Sequence, residues 1–477
     1  MGKRVVALVL SALVATSAGV LGAAGAGASG GAPAVAGQRQ PYDKLLKLVI
    51  KDIQEYWTEE MPTVFGIEYD RIPNSRIVPY DQNTADGDFG ECSDPADTYA
   101  DNANNAFYCV LDDFVRYDNG TLFPDLYSQY GNNVFALGAV MAHEWGHAIQ
   151  ARFLTFDEFT GAATILKEQQ ADCFTGAWVA YVDNAKSRNL QLDPGDLDIG
   201  VAALLELRDQ VGSSAAEQGA HGSGFDRVGA FQYGYSEGAE GCAPLISEPL
   251  PVVQTPFTNA TSALLGGNLP YEEIPAALVE NLDLYWSQFS ELQPYESIHD
   301  IVEYDATRKK TLPACPSLGL KPSKPKPYDD TVFYCPDDDT IDFDGDIMAN
   351  VYDSVGDLGV MTLISNAWAT GIQARLDLRG KPIDLGLQAD CFSGSWTGSL
   401  PTEADPTVSA RGLPLDADFT LSLSPGDLDE VVQTFLVFAD PVDVEPQRGS
   451  AFARIAAFRT GYFSQTPEAD CLSFTGD

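Results

Sequence analysis

Leu45, Leu46, Val49, Ile50 and Ile53 recur every three to four residues, so residues 42–58 are predicted to form an amphipathic helix. The stretch 60–125 then mixes Tyr, Val, Ile and Phe with Asp, Asn and Gly, a strand-and-turn pattern. Within it, Ala106 to Tyr117 reads as one strand ending in an Asn119-Gly120 turn. Residues 132–155 read as a helix, as does the run from Thr164 to Ala185. Asp193-Pro194, a cap residue followed by proline, predicts the start of another helix. A last helix is expected from Gly224 to Tyr235. Helices gathered around a short strand region make an α+β domain. The Pro-rich stretch from Pro244 to Pro270 reads as a linker.

Beyond that linker the pattern starts again. Tyr42–Trp57 (YDKLLKLVIKDIQEYW) is echoed by Tyr271–Trp286 (YEEIPAALVENLDLYW). Phe107-Tyr108-Cys109 returns as Phe333-Tyr334-Cys335, and Ile149-Gln150-Ala151-Arg152 as Ile372-Gln373-Ala374-Arg375. Gln170-Ala171-Asp172-Cys173-Phe174 returns as Gln388-Ala389-Asp390-Cys391-Phe392, and Pro194-Gly195-Asp196-Leu197-Asp198 as Pro425-Gly426-Asp427-Leu428-Asp429. Collinear matches of this kind read as a tandem duplication of one domain of about 200 residues. The expected boundaries are 37–244 for the first copy, 245–270 for the linker and 271–477 for the second, and the copies are expected to pack on each other.

Each copy carries four cysteines at matching places. The simplest shared pairing is Cys92–Cys109 and Cys173–Cys242, repeated as Cys315–Cys335 and Cys391–Cys471. Disulfides belong to exported proteins. The N-terminus agrees: Lys3 and Arg4 precede an apolar run from Val5 to Val20, and A-x-A sites end at Ala28 and Ala36. Residues 1–36 therefore read as a secretory signal peptide. No later segment has the apolar run that a membrane span needs, so a secreted or cell-envelope location without a span is expected. With 69 Asp+Glu against 28 Lys+Arg, the net charge is −41 and the pI near 4.1. Such a surface repels phosphate backbones and excludes nucleic acid as a partner.

The chain has only four histidines, and two of them stand in His143-Glu144-Trp145-Gly146-His147, inside an apolar helical frame. Residues four apart share a helix face, so both imidazoles reach one metal ion, and Glu144 is placed to act as general base. Zinc needs one more protein donor. Glu168 is the candidate, with Asp172 one turn on, orienting a ligand histidine from behind. In the second copy His143, Glu144, His147 and Glu168 become Asn366, Ala367, Thr370 and Gly386, and His221 becomes Arg448. The lost residues are the proposed metal and base groups, so one zinc per chain is expected. Asp172 survives as Asp390, and Arg227 and Tyr235 recur, which reads as structural for the latter two. His221 is either a hydrogen-bond donor to the oxyanion of an attacked carbonyl or a surface histidine. Asp342-Phe343-Asp344-Gly345-Asp346 looks like a calcium loop, but its glycine is misplaced for an EF-hand and a strand-turn reading is preferred.

As a set, HEWGH, the EQQADC segment from Glu168 to Cys173, and HGS with Arg227 resemble the bacterial putative neutral zinc metallopeptidase family. The resemblance covers nearly all of the first copy and, in degenerate form, the second. It implies a zincin-like fold, a peptide or protein substrate, zinc held by His143, His147 and Glu168, and Glu144 as base. The competing reading is a secreted zinc-binding or protein-binding module without catalysis. A cleft over the metal distinguishes the two.

Overall fold

The computed structural model describes residues 40–322, 332–415, 417–442 and 447–474. The proposed signal peptide and its cleavage sites lie outside them. The chain divides into two compact units: one runs to residue 209 and includes 215–253, and the other comprises 254 onward with 210–214.

In the first unit, helix α1 (Asp43–Val64) buries Leu46, Val49, Ile50, Ile53 and Trp57 along one stripe. It outruns the predicted end at residue 58, because Met61 is also fully buried and extends the apolar face by another turn. Pro62 lies in its last turn. Three short strands follow: β1 (Ile77–Tyr80), β2 (Ala106–Cys109) and β3 (Phe114–Asp118). Their order is β1-β3-β2, with β1 parallel and β2 antiparallel to β3. The single strand expected over 106–117 is thus a hairpin. Asp113 takes a positive φ of 55° between its two arms and turns the chain back, a conformation aspartate tolerates better than most residues.

The longer helices that follow are α2 (Phe135–Phe153), α3 (Thr164–Asp183), α4 (Asp196–Glu206) and α5 (Gly224–Cys242). Helices α2 and α3 are buried around most of their circumference, as central helices must be. The contact between α3 and α5 depends on glycine. A Cβ on Gly176 would lie 1.9 Å from the Phe231 carbonyl oxygen, and one on Gly234 would lie 1.8 Å from that of Cys173. Helix α4 begins at Asp196 rather than at Pro194, since Gly195 adopts φ 94° and the Asp196 carboxylate turns back to accept the Asp193 N–H at 2.8 Å. Helix α5 continues past Tyr235 but breaks at Gly238, and its final turn brings Cys242 to Cys173.

The second unit has α6 (Ile274–Trp286), β4 (Asp300–Tyr304), β5 (Val332–Cys335), β6 (Thr340–Asp344), α7 (Asp357–Arg375), α8 (Pro382–Ser399), α9 (Asp427–Val437) and α10 (Ala451–Phe463). Its sheet has order β4-β6-β5 with the same pattern of directions. The α8–α10 contact is again made on glycine, with Gly394 against the Phe458 carbonyl and Gly461 against that of Cys391. The acidic run at Asp342–Asp346 is the end of β6 followed by a helix start, where Asp344 accepts the Asp346 N–H. Within the predicted linker, Ala260–Leu265 forms a short helix. All four expected disulfides are present. Among the described residues no helix is long and apolar enough to cross a membrane.

Candidate metal centre

His143 and His147 project from successive turns of α2, and Glu168 and Asp172 from successive turns of α3. Where the two helices cross, a Cβ on Gly146 would lie 2.7 Å from the Ala171 Cα, so glycine lets the backbones approach. The four side chains meet in that crossing. His143 Nε2 lies 3.1 Å from Glu168 Oε2 and 3.2 Å from His147 Nε2, and His147 Nε2 lies 3.3 Å from Glu168 Oε1. A tetrahedral zinc with bonds of about 2.0–2.1 Å has ligand–ligand edges of roughly 3.3 Å. The two nitrogens and the carboxylate are therefore spaced as three corners of such a tetrahedron, and the donor set of two imidazoles and a carboxylate is one that zinc takes.

Each of the two histidines is braced from behind. Asp172 Oδ1 accepts the His143 Nδ1 hydrogen bond at 2.7 Å, which leaves Nε2 facing the site. His147 Nδ1 lies 3.0 Å from Gln150 Oε1, and the Gln150 amide donates to the Lys167 carbonyl at 2.7 Å. Gln150 is a residue that sequence reasoning passed over. Its recurrence as Gln373 was the available signal, and Gln373 donates to the Leu385 carbonyl in the same way. Arg227, from α5, forks onto Asp172 with Nε and Nη2, each at 2.9 Å.

The charges are strongly coupled. Burial presses His143 toward neutrality, but the Asp172 carboxylate and the hydrogen bonds to Asp172 and Glu168 outweigh it and carry the imidazole up to about 10. His147 rises too, as Glu168 overrides its burial. Burial would raise Glu168, but the two imidazoles hold it well below the carboxylate range. Glu144 is different. It is 5% exposed, burial raises it, and the imidazoles and a backbone hydrogen bond from Tyr108 only partly oppose that. A carboxylate pushed up by burial beside a metal-donor set is suited to taking a proton.

A cleft of about 550 Å³ opens over these groups. His143, Glu144, His147, Glu168 and the edge strand β2 line it, and His221 and Arg208 stand on its wall. The His221 side chain is 51% exposed, with Nδ1 3.4 Å from Asp209 Oδ1. Its backbone is fixed by Asp209 Oδ2, which accepts the N–H groups of His221 and Gly222.

An HExxH helix, a following helix carrying a glutamate and a small mixed sheet make this an α+β domain of zincin-like type. Residues 28–243 match the model of the putative neutral zinc metallopeptidase family. An uncharacterized protein of Mycobacterium bovis and two of Mycobacterium tuberculosis are each 28% identical over 152 residues, covering 28% of this chain and 52% of the relative. The match thus spans about half the length of those relatives. No solved structure matches the chain.

Proposed function

We propose that the chain is an exported zinc-dependent peptidase that hydrolyses peptide bonds in the cleft of its first unit, and that residues 271–477 are a degenerate copy without metal ligands. The observation that carries this reading is the convergence of His143, His147 and Glu168 at tetrahedral spacing under an open cleft, with Glu144 beside them. A purely structural zinc is enclosed by its ligands, and an open cleft over the donors favours catalysis instead. The four disulfides and the signal-like N-terminus support export.

His143, His147 and Glu168 hold the ion, one per chain. When bound, zinc supplies Lewis acidity that polarises a carbonyl and makes water acidic enough to attack it. Glu144 takes the proton of the attacking water and passes it to the leaving amine. Strand β2 is the outer strand of its sheet and lines the cleft, so an extended peptide can pair along it. His221, exposed on the cleft wall, donates to the oxyanion. The test is incubation of the zinc-loaded mature protein with a peptide library, with and without chelator. Chelator-sensitive cleavage is expected, and a zinc-loaded, folded protein that cleaves nothing in the library contradicts the peptidase reading.

A further inference from the structure

Recurrence of Arg227 as Arg454 reads, on sequence alone, as a structural role. Its position in the first unit is more specific. Arg227 is 2% exposed, and its guanidinium meets both oxygens of Asp172, with Nε on Oδ2 and Nη2 on Oδ1. The remaining nitrogen, Nη1, donates to the Leu207 carbonyl just beyond α4, at 2.6 Å. Nη2 also lies 3.4 Å from His143 Nδ1, so guanidinium, carboxylate and imidazole are packed edge to edge.

We infer that Arg227 is a positioning residue for the metal: its fork fixes the Asp172 carboxylate, and through it the ring of His143, so that Nε2 is presented to the ion. The inference rests on the zinc-site reading above. A single hydrogen bond from His143 sets one distance but leaves the carboxylate free to turn about its own axis. Two parallel bonds from a planar guanidinium also set its plane. The guanidinium is itself pinned by Leu207 and by the backbone of α5, so the restraint on His143 comes from three elements other than its own helix. Lysine carries the same charge but cannot make the fork.

The second unit holds a built-in control. Arg454 Nε and Nη2 fork onto Asp390 at 2.8 and 2.9 Å, and Nη1 reaches the Phe438 carbonyl at 3.0 Å. Asp390 Oδ1 then accepts from Asn366 Nδ2 at 2.7 Å, where the first unit has His143. The same brace therefore ends on a group that binds no zinc. Whatever the fork contributes to folding is measured there, separately from what it contributes to the metal.

The experiment compares full-length wild type with Arg227→Met, Arg227→Lys and Arg454→Lys. Zinc affinity is read by competition with a chromogenic chelator at fixed pH, and the fold by circular dichroism and thermal unfolding. Loss of a partner that orients a metal-binding histidine typically costs about 10–100-fold in affinity. That loss is expected for Arg227→Met, with a smaller one for Arg227→Lys, which keeps the charge. Arg454→Lys is expected to lower thermal stability about as much as Arg227→Lys and to leave zinc affinity unchanged. Should Arg227→Met not fold, Arg227→Gln, which keeps one amide donor, takes its place. Folded Arg227 variants with wild-type zinc affinity overturn the inference, as does an equal loss of affinity in Arg454→Lys. A wild type that takes up no zinc removes the metal-site reading itself, and the inference falls with it.

Discussion

In the first unit the arginine–aspartate fork ends on an imidazole beside a second imidazole and a glutamate; in the second it ends on the amide of Asn366. The surroundings are alike. Helix pairs α3–α5 and α8–α10 both meet on glycine, both sheets have the same order, and each unit has two disulfides. The space where the donors stand is not alike. Gly386 occupies the place of Glu168, and the backbone of Gln447 and Arg448 lies against it. The Arg448 guanidinium reaches the Val332 carbonyl on the outer strand β5 at 3.3 Å. The fork, the glycine contacts and the bridges thus recur in both units, whereas the proposed metal donors and base of the first are replaced in the second by Asn366, Ala367, Thr370 and Gly386.

The buried aspartates show the same contrast electrostatically. Burial raises both. In the first unit Arg227 and then His143 outweigh it, and Asp172 ends below the usual carboxylate value. In the second unit Arg454, Arg448 and the neutral Asn366 do not, and Asp390 ends above it. The ionisable ring of His143 beside Asp172 has only the neutral amide of Asn366 as its counterpart beside Asp390.

The largest expected effect belongs to Glu144→Gln. It keeps the shape and all three metal donors but removes the base. Hydrolysis should fall by roughly two to four decades, while metal analysis still finds one zinc per chain. The matching change in the second unit, Ala367→Glu, should alter neither quantity. Zinc lost from Glu144→Gln would mean that this carboxylate is a ligand.

Glu168→Ala comes next. It removes a donor, so zinc affinity should drop by more than the roughly 10–100-fold that loss of an orienting partner costs. Activity should partly return in excess zinc. Titration of the variant with zinc, read by calorimetry and by peptide cleavage, separates this from Glu144→Gln. Unchanged zinc affinity would remove Glu168 from the donor set.

A smaller effect, of opposite sign in the two units, is expected from pH. In the second unit the carboxylates of Asp357, Asp427 and Glu430 have oxygens within 4.8 Å of one another, all buried. Burial raises Asp357 to about 6, and burial with mutual repulsion raises the other two. A carboxyl raised in the folded state contributes stability that is complete below its unfolded value and is lost as pH rises through the folded one. The second unit should therefore gain on the order of a few kcal/mol on going from pH 7 to 4. The zinc-loaded first unit should lose stability over the same range, because protons compete for its imidazoles. Hydrogen exchange resolved by peptide reads each unit separately, and movement of both in one direction contradicts the contrast.

The parts legible in the sequence are those governed by spacing or by repetition. Helix α1 follows from apolar periodicity, His143 and His147 from a four-residue interval, and the cysteine pairs from comparison of the repeats. The parts that escaped depend on single backbone conformations. Asp113 and Gly195 turn the chain with positive φ, splitting a predicted strand and delaying a predicted helix, and Gly238 breaks α5 near its end. Long-range polar partners escaped as well. Nothing local to Gln150 or Arg227 says which side chain each will meet, because those contacts exist only once α2, α3 and α5 are packed.

The smallest expected effect is none, and it tests whether the second unit could be re-equipped. Substituting Asn366→His, Ala367→Glu, Thr370→His and Gly386→Glu restores every missing donor and the base by sequence. A Cβ at Gly386, however, would lie 2.8 Å from the Gln447 carbonyl oxygen and 3.0 Å from the Arg448 Cα, both backbone atoms. That segment cannot easily withdraw, since Asp440 Oδ2 accepts the consecutive N–H groups of Gln447, Arg448 and Gly449. Any side chain at 386 must push against a loop held by three hydrogen bonds, and overpacking of this kind costs about 1–3 kcal/mol. Gly386→Ala alone should therefore lower the stability of the second unit, read by hydrogen exchange of its peptides. The fourfold variant should bind one zinc per chain, as wild type does. A second equivalent bound as tightly as the first would show that the loop yields, and that only the side chains separate the two units.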